Sequence, residues 1–132
     1  SALLRPVTAL QELLAKVEAG VKYETMGHTL LCQKAFPKPQ DFDGSREAYA
    51  NSNAQLAVLA WRNGSLDAAK ALHEAVLPEW HFNVGWEATG NWYVVEISDV
   101  SWIDGCDGCD TTPARAWLIA IIKALIAKEQ TT

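Results

Sequence analysis

The sequence predicts an α+β protein: a three-layer α-β-α sandwich, with a small antiparallel sheet of two or three strands flanked by helices. Three observations predict it. Apolar residues recur at helical spacing near both ends of the chain. Between them, Trp80, Phe82, Val84 and Trp86 alternate with His81, Asn83 and Gly85, the period of a strand. The returning segment, Trp92–Ser98, carries apolar residues on both faces (Tyr93, Val95 and Ile97 on one, Trp92 and Val94 on the other), which argues that both faces are covered.

The elements follow in order. Thr8 and Gln11 form a capping box, Leu10, Leu13, Leu14 and Val17 share one face, and Gly20 ends the helix, predicting a helix over 9–19. Residues 21–36 are ambiguous, because Thr29–Cys32 suits either a short strand or a helical turn. Two prolines and two aspartates make 37–44 a loop. Ser45 caps a second helix that runs to about Arg62, weakened at Asn51, Ser52 and Asn53 and stopped by Asn63-Gly64. Ser65 caps a third helix, striped by Leu66, Ala69, Leu72, Val76 and Leu77, and Pro78 ends it. The hairpin follows, with its turn at 87–91, and a third short strand is expected near Val100–Ile103. A loop over 104–111 leads to the last helix, capped by Thr112 with Pro113 at its first position.

The 132 residues are read as one domain over 1–132, with a helical part at 1–64 and a helix-hairpin-helix core at 65–128. At 49% hydrophobic and 20% charged, the chain is not disordered, and no apolar run approaches the ~18 residues of a membrane span. The formal net charge of −5 gives no basic excess, so no nucleic-acid partner is expected. Three cysteines are too few for a secreted disulfide scaffold, and the first residues show no long apolar leader, so an intracellular, reducing compartment is expected. A sheet this narrow leaves edges on which two copies could pair as a homodimer.

Ser65-Leu66-Asp67-Ala68-Ala69-Lys70-Ala71-Leu72, then Leu77-Pro78-Glu79-Trp80, a hairpin, and Thr112-Pro113-Ala114-Arg115-Ala116 together resemble the phage ABA-sandwich domain proteins. The resemblance covers roughly half the chain, Ser65–Ala127. It implies the three-layer fold, a phage or prophage origin and hence a bacterial host cytoplasm, and it brings no catalytic residues with it.

Among the chemical motifs, Cys106-Asp107-Gly108-Cys109 is half of a zinc site. His28 and Cys32, four apart, would complete a Cys₃His set. Ordinary thiols are the competing reading, since the chain has a core and needs no structural metal. A redox pair would require a helix start directly after Cys106, whereas the helix begins at Pro113. Asp99, Asp104, Asp107 and Asp110 crowd the same loop but do not follow the EF-hand pattern. His73-Glu74 begins a zincin helix, yet Leu77 stands where the second ligand belongs. His81 lies on the strand face opposite Trp80 and Phe82.

The six tryptophans divide between core and surface. Trp61 and Trp117 are assigned to the core. Trp80, Trp86, Trp92 and Trp102 are the candidates for a partner surface, because one thin core cannot hold every aromatic of the hairpin. The expected function is therefore that of a non-enzymatic phage or prophage accessory protein acting through protein–protein contacts. The alternatives are a small-molecule or metal-binding protein using the Cys106–Cys109 acidic loop, and a host-defence inhibitor. No cofactor is expected unless zinc occupies the four named ligands.

Overall fold

Helix α6 (Pro113–Gln130) carries the architecture. Ala114, Ala116 through Ile122, Ala124 and Leu125 are all buried, which leaves the helix apolar around nearly its whole circumference. Such a helix must be covered on every side. In the computed structural model, which describes residues 7–23, 26–37, 44–50, 52–99 and 105–130, it packs on the sheet and on α1 (Val7–Glu18), α4 (Asn53–Asn63) and α5 (Leu66–Val76). Helix α2 (Met26–Ala35) packs on α1 and α4, and the short α3 (Arg46–Ala50) leads into α4. One apolar cluster runs from Ala9 to Leu125.

The local signals explain where the helices begin and end. The ambiguous segment is the helix α2, and its Leu31, Cys32, Ala35 and Phe36 are buried. The expected second helix is two helices. Ser45 Oγ accepts from Ala48 N–H at 3.0 Å to start α3, and Ser52 Oγ accepts from Gln55 N–H at 3.3 Å to restart the chain as α4. Gly64, at φ 64°, ends α4 in the left-handed conformation. Ser65 Oγ then accepts from Ala68 N–H at 3.1 Å and caps α5.

The sheet has the order β1-β2-β3, built from β1 (His81–Glu87), β2 (Trp92–Ser98) and β3 (Gly105–Asp110), with both pairings antiparallel. Directly opposed residues share a face. Phe82↔Ile97, Val84↔Val95 and Trp86↔Tyr93 therefore lie on one face, continued across β3 by Cys106, Gly108 and Asp110. This is the face that α6 covers, over β2 and β3, and Val95 and Ile97 are buried beneath it.

The α+β class, the antiparallel three-stranded sheet and the helices packed on it are as the sequence predicts. Two details differ. The third strand is Gly105–Asp110, within the expected loop, whereas Val100–Ile103 lies outside the described residues. Glycine and aspartate are poor strand formers, but here packing outweighs propensity. A Cβ at Gly108 would lie 2.8 Å from Ala120 N and 2.9 Å from Ile119 Cβ, so only a glycine lets α6 seat directly on the strand.

The layer order also differs. Among the described residues the helices stack on one side, with α6 on the sheet, α1 and α4 packed on α6, and α5 beside α6 with its His73 reaching Phe82 of β1. The other face presents Asn83, Glu87, Glu96, Asp107 and Cys109, all exposed. Among the described residues no helix covers its two apolar members on β2. Val94 is half-buried in the central strand, and the Trp92 indole folds against Gly90 in the turn.

Candidate functional site

A helix laid over β2 and β3 leaves β1 overhanging. Its inward row is consequently only partly covered: Phe82 is 46% exposed, Val84 38% and Trp86 54%. Beside this row, α6 and α5 form a rigid aromatic wall. The Phe82 ring stands 4.8 Å from that of Trp117 and 5.4 Å from that of His73, and Trp86 meets Tyr93 at 4.8 Å. Phe82 and Trp86 are thus held by packed rings and remain exposed to solvent.

β1 is also an edge of the sheet among the described strands, so its outer backbone groups have no strand neighbour there. Edge strands are ordinarily protected by lysine, proline or a bulge. β1 reads His-Phe-Asn-Val-Gly-Trp-Glu and has none of these residues. Its one acid, Glu87, is tied into the turn: its carboxylate accepts from Thr89 N–H at 3.0 Å and from the Thr89 hydroxyl. Those hydrogen bonds hold its pKa below the usual carboxylate range.

At the far end of the sheet, an open cleft of about 620 Å³ is lined by Phe82, Asn83, Glu96, Ser98, Cys106 and Asp107, among others. Asn83, Glu96 and Asp107 are opposed across the three strands, so two carboxylates face each other on the open side.

The residues singled out from sequence fall as follows. Trp61 and Trp117 are buried, as expected. Trp86 is exposed and Trp92 is 40% exposed, while Trp80 is half-buried against the core. Trp102 lies outside the described residues, as does Asp104. Phe82 and Val84 were not among the expected surface residues, although they share the period-two row of Trp86, and that parity was the available signal. His81 lies on the open face and is half-buried.

The four candidate zinc ligands do not converge. His28 and Cys32 lie on α2, which packs on α1 and α4. There His28 stacks at 4.8 Å from Trp61, and Cys32 is buried. Cys106 and Cys109, three apart on a strand, point to opposite faces of the sheet: Cys106 toward α6, Cys109 outward. The turn on which both thiols could have met one metal is instead β3. Among the described residues, no group of three or more histidine, cysteine or acidic side chains is placed to hold a metal ion. Cys32, Cys106 and Cys109 form no disulfide.

Among the described residues, no helix is long and apolar enough to cross a membrane. The chain matches no protein-family model, no curated protein and no solved structure.

Proposed function

We propose that this chain acts by contact with protein rather than by chemistry of its own, and that β1 with Phe82, Val84 and Trp86 is the contacting surface. One observation carries the reading: a contiguous apolar row, with Phe82 and Trp86 against packed rings, lies exposed along a strand that is an edge among the described strands and carries no lysine or proline. Contiguous exposed apolar patches mark interaction sites. Pre-positioned aromatics suit this use because ordering them on binding costs little side-chain entropy. The edge adds backbone donors and acceptors to the same surface, as in strand addition.

A phage or prophage accessory role, exercised in a bacterial host cytoplasm, belongs to the same proposal and rests on the resemblance of Ser65–Ala127. Inhibition of a host defence protein is one form such contact would take.

The test is solution sizing of the chain alone and with candidate partners, repeated with Trp86→Glu. Trp86 is more than half exposed, so the substitution leaves the fold intact by circular dichroism. The reading expects a complex that the wild type forms and Trp86→Glu does not. A wild type that remains a lone monomer and binds no partner, or a complex indifferent to Trp86→Glu, overturns it.

A further inference from the structure

The occupant of the β1 edge can be argued from the strand itself. Fold the sequence of β1 back on itself about Val84. Phe82 then faces Trp86 of a second copy, Asn83 faces Gly85, and His81 faces Glu87. Every opposition is favourable or neutral. The aromatic pair is among the better cross-strand pairs. The side chain of Asn83 meets a residue that has none. No like charges oppose one another. The other edge, β3, carries two acids, Asp107 and Asp110, and no histidine to set opposite them.

We infer that β1 pairs antiparallel with β1 of a second copy about a two-fold axis through Val84, giving one continuous six-stranded sheet. This deepens the contact proposal above and rests on it. A two-fold axis perpendicular to the sheet keeps both α6 helices on the same side. The two copies of β2 would then stand roughly 14 Å apart, given about 4.8 Å between neighbouring strands. The two rows of Phe82, Val84 and Trp86 fill the floor between the helical layers. The incomplete cover of β1 in one copy is thus the space that the second copy's row occupies. The same pairing satisfies the backbone groups of both open edges.

The experiment is register-specific cross-linking of the full chain with sizing in parallel. Cα atoms of directly opposed antiparallel residues lie about 4.5–5.5 Å apart, within reach of a disulfide. In a Cys109→Ser background, Val84→Cys is expected to give a covalent dimer under mild oxidation, while the background alone does not. Phe82→Cys and Trp86→Cys are expected to link when mixed, and neither to link alone. Val84→Lys sets two ammonium groups face to face and is expected to weaken the dimer at least tenfold while the circular dichroism spectrum stays unchanged.

Three outcomes overturn the inference. One is a wild type that is monomeric up to about 0.5 mM, beyond the range of standard interfaces. Another is a dimer that Val84→Cys does not capture, and the third is a dimer that Val84→Lys leaves intact. A monomer that still forms a Trp86-dependent complex with another protein defeats the self-pairing and leaves the contact proposal standing. A monomer that binds nothing defeats both.

Discussion

The Trp117 indole Nε1–H donates to His73 Nδ1 at 3.2 Å, in a contact sealed from solvent. An indole is a donor only, so Nδ1 must be the accepting nitrogen. The proton of the neutral ring therefore sits on Nε2, which lies 3.0 Å from the Trp80 carbonyl and donates to it. One imidazole, 2% exposed, thus joins α5, α6 and the approach to β1.

Two consequences can be measured. Long-range ¹H–¹⁵N spectra should show His73 as the Nε2–H tautomer, and an Nδ1–H tautomer would contradict the arrangement. His73→Ala leaves the indole N–H and the Trp80 carbonyl unpaired and opens a void. The expected loss is about 3 kcal/mol in urea unfolding, since each unsatisfied buried group costs about 1–3 kcal/mol. A loss below about 0.5 kcal/mol would mean that this junction is not holding the layers together.

Gly108 makes the next prediction. It sits where α6 touches β3, and any side chain would enter the backbone of Ala116 and Ala120. Gly108→Ala is expected to destabilise by about 3 kcal/mol, at the upper end for overpacking. Gly85→Ala is the control, since a Cβ there meets nothing within 4 Å. Thermal melts of the two variants should separate clearly, and equal melting would show that the helix can lift off the strand without loss.

These two residues also show how much of the fold was legible in the sequence. Caps and spacings marked most helix boundaries because Ser45, Ser65 and Gly64 act within one turn of themselves, whereas Ser52 read as a weak point within one helix and is the cap of α4. The hairpin was legible for the same reason, since alternation along 80–98 is a local property. β3 was not. Gly-Cys-Asp-Gly-Cys-Asp has the composition of a loop and becomes a strand only because β2 pairs with it and α6 presses on Gly108. The stacking of helices on one side was equally hidden: apolar residues on both faces of β2 do not reveal that Trp92 stays 40% exposed, its indole against Gly90 rather than under a helix. Of the candidate surface, Trp86 was anticipated from its excess over the core. Phe82 and Val84 were not, because their exposure depends on where α6 stops. His73 lies three or four residues from Ala69 and Val76 on the buried stripe of α5, and that spacing was the available sign of a core histidine.

The start of α6 supplies another test. Asp110 Oδ1 accepts from Thr112 N–H at 2.9 Å and from Arg115 Nε at 3.0 Å, and both charged side chains are largely covered. The carboxylate therefore satisfies a free backbone donor at a helix N-terminus and fixes the arginine over it. Asp110→Ala should cost about 1–2 kcal/mol. Arg115→Ala should cost less, because it removes one partner and leaves the cap. Chemical denaturation of the two variants decides the order, and an Arg115 effect larger than that of Asp110 would assign the stability to the ion pair instead.

The thiols lead to a prediction about alkaline pH. Burial pushes the Cys32 pKa up to about 12 from 9.0. Between these values the unfolded chain has released the thiol proton and the folded chain still holds it, so rising pH favours unfolding. The contribution is complete below pH 9.0 and is lost progressively from there toward pH 12, with a limiting slope of about 1.4 kcal/mol per pH unit. Tyr23, whose phenol is also shifted upward, chiefly by burial, adds to the same limb above its ordinary range. Cys32→Ala removes the thiol term, so the alkaline limb of its stability curve should be shallower than that of the wild type. Thiol labelling gives an independent reading: Cys109, which is exposed, should react first, and Cys32 only as the chain unfolds. Identical alkaline limbs, or a Cys32 that labels as fast as Cys109 in the folded protein, would show that the α2 side of the core opens to solvent.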